Sequence, residues 1–115
     1  AIKKNAVDGF NFNCGLRNFQ ILDNIAYSAE LPCWHGSEID LGIMEAMYMH
    51  SCAAATSCVW PSDIFGRLIR EHDLLKSPIK IEPPFAYLPK GDGLGIEPDL
   101  DAINQYLINK DEILN

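Results

Sequence analysis

"LPKGDGLGIEPDLDAINQYL", residues 88–107, decides how the chain is read. Gly91, Gly93 and Gly95 fall within five residues and a helical pattern follows them. A phosphate-cradling loop needs a Lys and a Ser or Thr straight after its last glycine. Ile96, Glu97 and Pro98 stand there instead. A dinucleotide loop starts its helix directly behind the glycines, so that the helix N-terminus holds the pyrophosphate. Glu97 and Asp99 occupy that place here and repel an anion. The glycines are therefore expected to supply positive φ angles in a structural turn. A helix is predicted from about Asp99 to Ile108, with Leu100, Ile103 and Leu107 facing inward and Asp99 or Asp101 at its positive end.

Upstream, "PIKIEPPFAYLP" (78–89) holds two short alternating segments around Pro83 and Pro84 and reads as an antiparallel hairpin. Further upstream the pattern is different. "AVDGFNFNC" (6–14) reads as a strand with Phe10 and Phe12 on one face and Asn11 and Asn13 on the other. After Gly15, apolar residues at Phe19, Leu22, Ala26 and Ala29 mark one face of a helix. "LPCWHG" (31–36) and "SCVW" (57–60) are short apolar runs of the interior-strand kind. Between them, Ser37 and Asp40 read as a capping box opening a helix to about Ala55. The order β-α-β-α-β has connections long enough for parallel crossovers. Three such strands close no barrel and leave a parallel sheet partly uncovered, which suggests a piece of a larger fold.

Composition narrows the function. The 115 residues carry a net charge of −7 and are 48% apolar. An acidic chain has no electrostatic footprint for nucleic acid or an anionic membrane, so neither is expected as a partner. No apolar run approaches the roughly 18 residues that span a bilayer. Cys14, Cys33, Cys52 and Cys58 form no CxxC pair, which disfavours a zinc knuckle, and are expected to be reduced thiols in a cytoplasmic protein.

At this point the residues match a family. "KGDGLGIEPDLDAI" (90–103) resembles the C-terminal turn of the enolase superfamily, in its mandelate racemase and muconate cycloisomerase branch. "AVDGFNFNCGLRNF" (6–19), "LPCWHGSEIDLGIMEAMYMHSCAAA" (31–55) and "CVWPSDIFGRLI" (58–69) resemble the sixth, seventh and eighth strands of the family barrel with the helices that begin after them. The resemblance implies an α/β fold, the C-terminal part of a (β/α)8-type, TIM-like barrel with an α+β capping-domain tail. Residues 1–75 would end the barrel and 76–115 would contribute to the cap. It also implies a Mg²⁺-dependent enzyme that takes a proton alpha to a carboxylate and stabilises the enediolate, as a hydroxy-acid dehydratase or a racemase or cycloisomerase.

By the same resemblance, Asp63 and His35 are the expected catalytic groups. Asn13 and Trp34 are the expected substrate-binding ones. His35 stands about one residue out of the family register, and Asn13 replaces the Lys or Asp of relatives. The Mg²⁺ ligands would lie outside this segment, in a missing N-terminal part of the enzyme. The substrate would be a small carboxylate and the whole protein a homo-oligomer, with the fragment alone inactive. The loop from Cys14 into Gly15 is shorter than the family pattern: either this subgroup has a short loop or residues are absent between the two. His50 and His72 are placed on helices without a role. A lone capping role for Asp63, at a helix starting with Ile64, and a non-catalytic stand-alone α/β binding or assembly domain are the alternatives; seven prolines and an incomplete sheet weigh against the latter.

Overall fold

The computed structural model describes residues 1–108. Phe10–Phe12 form β1, Leu16–Ser28 form α1, Cys33–His35 form β2 and Gly42–Ala54 form α2. β1 and β2 run parallel, pairing Phe10 with Cys33, Asn11 with Trp34 and Phe12 with His35. The run at 57–60 joins them through a single parallel bridge, Cys33 to Cys58, with the Cys33 amide donating to the Ser57 carbonyl at 2.7 Å. The expected order holds through β-α-β-α, and its last strand is reduced to that single bridge at Cys58.

Alternation along the strands sorts their side chains onto two faces. Phe10, Phe12, Cys33 and Cys58 pack with Phe19 and Ala26 of α1. Phe19 is fully enclosed, edge-on to Phe12 at 6.2 Å and stacked on His35 at 4.5 Å. Phe19 and Ala26 confirm the helical face read from the sequence. Asn11 and Trp34 lie on the opposite face, which no described helix covers.

A second core lies beyond α2. Ala46 and Met49 of α2 pack with Leu75 and Ile79, and Ile64, Leu94 and Ile96 close over them. The boundary drawn between residues 75 and 76 runs through this cluster. The tail is tied back by a bridge between Leu75 and Pro98, by the Lys76 amide on the Glu97 carbonyl, and by the Asp99 amide on the Leu74 carbonyl, each amide at 2.9 Å. The expected hairpin is present as β3, Ile81–Glu82, and β4, Phe85–Ala86.

The glycine turn is structural, as read. Gly91, Gly93 and Gly95 take φ values of +137°, +61° and +69°. His50 on α2 donates from Nε2 to the Leu94 carbonyl at 3.0 Å, which pins the turn to the helix. α3 spans Leu100–Tyr106, and the Asp99 carboxylate caps it by accepting from the Asp101 and Ala102 amides at 3.0 Å. The residues 109–115 of the expected 76–115 segment lie outside the described residues.

Four local expectations are corrected. Ser37 and Asp40 do not cap α2: Ser37 Oγ accepts from the Ile39 amide and Asp40 Oδ2 from the Glu38 amide. The helix begins at Gly42 with Leu41 as an uncapped N-cap. No helix starts at Ile64, and Asp63 caps nothing. A 3-10 turn, Gly66–Ile69, follows instead, and His72 lies outside any helix. Leu100 is 66% exposed, and Ala102 is the residue α3 buries.

Candidate functional site

The C-terminal ends of the three strands gather Asn13, Gly36, Ser62 and Asp63. Ser62 Oγ accepts the His35 amide at 3.0 Å, and the Asp63 amide donates to the His35 carbonyl at 3.3 Å. Residues 62–63 therefore hold both backbone groups of His35 and fix where Asp63 stands. The Asp63 side chain is exposed. Asn13 is exposed as well, two residues beyond Asn11 and thus of the same strand parity.

The uncovered face below this rim is aromatic. Trp34 and Trp60 meet at 5.4 Å between ring centroids, tilted by 38°. Two glycines make room there. A Cβ on Gly9 would fall 2.5 Å from the Trp60 ring, and one on Gly36 would fall 2.4 Å from Asn11 Oδ1. Asn11 and Trp60 were not singled out from the sequence. For Asn11 the signal was parity, which it shares with Asn13, and Trp34 stands directly across from it. Trp60 carried no such signal, because its parity is that of the inward Cys58.

His35 has the opposite placement. Its ring is 0% exposed, between Phe19 and Tyr48, whose centroids lie at 4.5 Å and 4.2 Å. Nδ1 meets the Gly36 carbonyl, and Nε2 meets the Cys14 carbonyl at 3.1 Å. A carbonyl only accepts, so a neutral imidazole serves one of these two at a time. Through the Cys14 carbonyl the ring ties β2 to the short turn that enters α1. Trp34 faces the open side and His35 the helices, so the structure does not bring all four expected site residues onto one surface. Asn13, Trp34 and Asp63 remain accessible, while His35 stands behind them.

Two carboxylates are buried behind the strands, and sequence reading passed over both. Asp23 on α1 is 5% exposed and accepts from the Thr56 amide at 3.0 Å, the Ser57 amide at 2.8 Å and the Ser57 hydroxyl. Burial works to raise its carboxyl, but these hydrogen bonds outweigh it and leave the pKa below the ordinary value. Glu45 on α2 is 2% exposed, and its Oε1 accepts from the Arg67 amide at 3.3 Å. Here burial dominates and raises the carboxyl, against backbone hydrogen bonds and Arg70. Burial, with the neighbouring Asp40 carboxylate, also pushes the Tyr48 phenol up to about 12.

Among the described residues, no three His, Cys, Asp or Glu side chains converge closely enough to hold a metal ion. The described residues therefore do not make a Mg²⁺ site by themselves. No described helix is long and apolar enough to cross a membrane.

Comparison with known proteins bears on the family and the fold. Residues 1–102 match the family described as enolase C-terminal domain-like. Muconate cycloisomerase 1 of Rhodococcus opacus is 30% identical over 95 residues, covering 83% of this chain and 26% of its own length. Chloromuconate cycloisomerase of Cupriavidus pinatubonensis is 26% identical over 92 residues, or 80% of this chain and 25% of its own. The chain thus spans about a quarter of the length of these relatives. Muconate cycloisomerase from Pseudomonas fluorescens superposes with a TM-score of 0.87 at 20% identity, over 94% of this chain and 31% of that one. A mandelate racemase/muconate lactonizing family protein from Azoarcus sp. EbN1 gives 0.85 at 24% identity, over 95% and 33%. The fold is accordingly that of the C-terminal part of these α/β-barrel proteins, tail included.

Proposed function

Because the chain belongs to the enolase C-terminal domain-like family, we propose that it forms the closing arc of a barrel enzyme acting on a small carboxylate. The whole enzyme removes a proton alpha to that carboxylate, as an isomerase or lyase of the mandelate racemase and muconate cycloisomerase branch. The observation that carries the proposal is the uncovered face: Asn11, Trp34 and Trp60 lie opposite both helices, below a rim that presents Asn13 and Asp63. In barrels of this class the reacting groups stand at the C-terminal ends of strands.

In this reading Asp63 hydrogen-bonds the substrate carboxylate or the enediolate developing from it. Asn13, a neutral amide, orients the substrate and exchanges no proton, so the base comes from the preceding part of the enzyme. Trp34 forms the wall beneath. His35 acts as a positioning residue, since its ring contacts hold β2 and the turn at Cys14. Mg²⁺, held by preceding strands, would supply the positive charge that stabilises the enediolate. Residues 1–75 complete the barrel and the tail contributes to the cap.

The test is α-proton exchange in D₂O, followed by NMR, on the full-length protein with Mg²⁺ and a panel of small carboxylates that includes muconate. Exchange or product formation is expected with at least one. Asp63→Ala should lower kcat about 100-fold, the lower end for loss of a hydrogen bond to a developing oxyanion, with KM changed far less. A folded full-length protein that exchanges nothing, or an Asp63→Ala variant with full kcat, overturns the proposal. A cooperative melt of the 115-residue chain as a lone monomer would favour a stand-alone binding domain.

A further inference from the structure

Three of the four cysteines converge behind the candidate site. Cys58 bridges to Cys33 across the strands, and Cys52 reaches the same place from the last turn of α2. The thiols of Cys52 and Cys58 share one hydroxyl, that of Ser62, at 3.5 Å and 3.8 Å. All four cysteines are free thiols. Cys33 is fully enclosed and hydrogen-bonds Ser57, whereas Cys52 and Cys58 are partly exposed.

We propose that Cys52 and Cys58 are a peroxide-oxidisable dithiol whose disulfide forms directly behind the Asp63 rim. The Cys52 thiolate attacks one oxygen of the peroxide, the O–O bond breaks, and the departing oxygen leaves as water after taking a proton. Cys52 is then a sulfenic acid. The Cys58 sulfur attacks the Cys52 sulfur, a second water leaves, and the S–S bond forms. Two thiols give up two electrons and two protons, and one peroxide becomes two waters.

The surroundings favour this order. Hydrogen bonds from Cys58 and Ser62 outweigh burial and lower the Cys52 thiol to about 7. The Cys58 thiol is pushed up chiefly because its proton is held by Cys52. That hold ends once Cys52 is oxidised, which frees Cys58 to resolve the sulfenic acid. Cys14, by contrast, is raised by burial alone. Ser62 also carries the His35 amide, so a disulfide there bears on the rim through one hydroxyl.

The full-length protein is titrated with hydrogen peroxide, its remaining thiols are blocked, and peptides are mapped by mass spectrometry without reduction. A Cys52–Cys58 peptide lighter by two hydrogens is expected, and reductant should reverse it. In the untreated protein at pH 7, Cys52 should alkylate about fivefold or more faster than Cys14. That figure is the gain in thiolate fraction discounted for the lower nucleophilicity of a more acidic thiol. Oxidation should also accelerate from pH 6 to pH 8. Preferential oxidation of Cys14, a dominant Cys33–Cys58 link, or a Cys52 no faster than Cys14 would each overturn the proposal. No substituted variant is required, so a folding defect cannot obscure the answer.

Discussion

Gly66 offers a way to measure how firmly the loop behind Asp63 is held. A Cβ at Gly66 would lie 2.3 Å from the Asp40 carbonyl oxygen, 2.6 Å from Glu45 Oε1 and 3.2 Å from the Ile39 carbonyl carbon. Its φ is not in the left-handed region, so an Ala there suffers from crowding alone. Two of the three obstacles are backbone, and relief means shifting the 39–40 loop or the 3-10 turn by about 1 Å. Overpacking of that kind costs about 1–3 kcal/mol. Displacing Glu45 from the amide it serves adds about 1–2 kcal/mol. Gly66→Ala should therefore destabilise by about 2–5 kcal/mol. Two other glycines separate the causes. Gly93 has φ +61° and open space around it, so Gly93→Ala should cost only the left-handed strain of about 1–2 kcal/mol. Gly15 has open space and an ordinary φ but is the N-cap of α1, where Gly is preferred to Ala, so Gly15→Ala should cost about 0.5–1 kcal/mol through the cap alone. Urea melts of the three variants in the full-length protein, compared at constant slope, give the order directly. A Gly66→Ala variant within about 0.5 kcal/mol of the parent, or no costlier than Gly93→Ala, would show that the loop yields freely and refute the reasoning.

Three further perturbations follow from buried and capping groups. Asp23→Ala leaves the Thr56 and Ser57 amides without an acceptor and should cost about 3–5 kcal/mol by denaturant melt. The folded pKa of Asp23 lies below its unfolded value, so its contribution is present above about pH 4 and lost as pH falls through the folded value; the acid limb of the stability profile should flatten in the variant. Glu45 has the opposite sign: its folded pKa is raised, so stability declines as pH climbs from about 4 through the folded value. Glu45→Gln keeps an oxygen for the Arg67 amide, so melts at pH 7 should show it no less stable than the parent, with that decline removed. Asp99→Ala removes the cap from α3 and should cost about 1 kcal/mol, while Asp99→Ser should restore most of it in the same melts.

Much of the architecture was legible because periodicity reports it directly. Phe19 and Ala26 marked the inner face of α1, and the three glycines with an acidic residue behind them marked a turn and a cap. What went unread was decided by tertiary contact. Ser37 and Asp40 carry the spacing of a capping box, but Ile39 takes φ +63° and both side chains serve amides within their own loop. The start of α2 is set instead by Gly42, which has Leu75 and the Asp73 carbonyl pressed against it. In "PCWHG" the run is apolar on both sides, so its letters do not say whether Trp34 or His35 faces the helices. Pairing with β1 settles that. Asp23 was overlooked because the helical stripe was read only for apolar residues. A carboxylate four residues after Phe19 and three before Ala26 sits within that stripe, which was the sign that it is buried and bonded.

The second core has a consequence for how such chains diversify. Leu75, Ile79, Leu94 and Ile96 fill the outer side of α2. A gene exchange that brought in a foreign tail after residue 75 would set one lineage's apolar residues against another's Ala46 and Met49. Grafts that join upstream of α2, so that helix and tail travel together, should be the ones that yield stable hybrids.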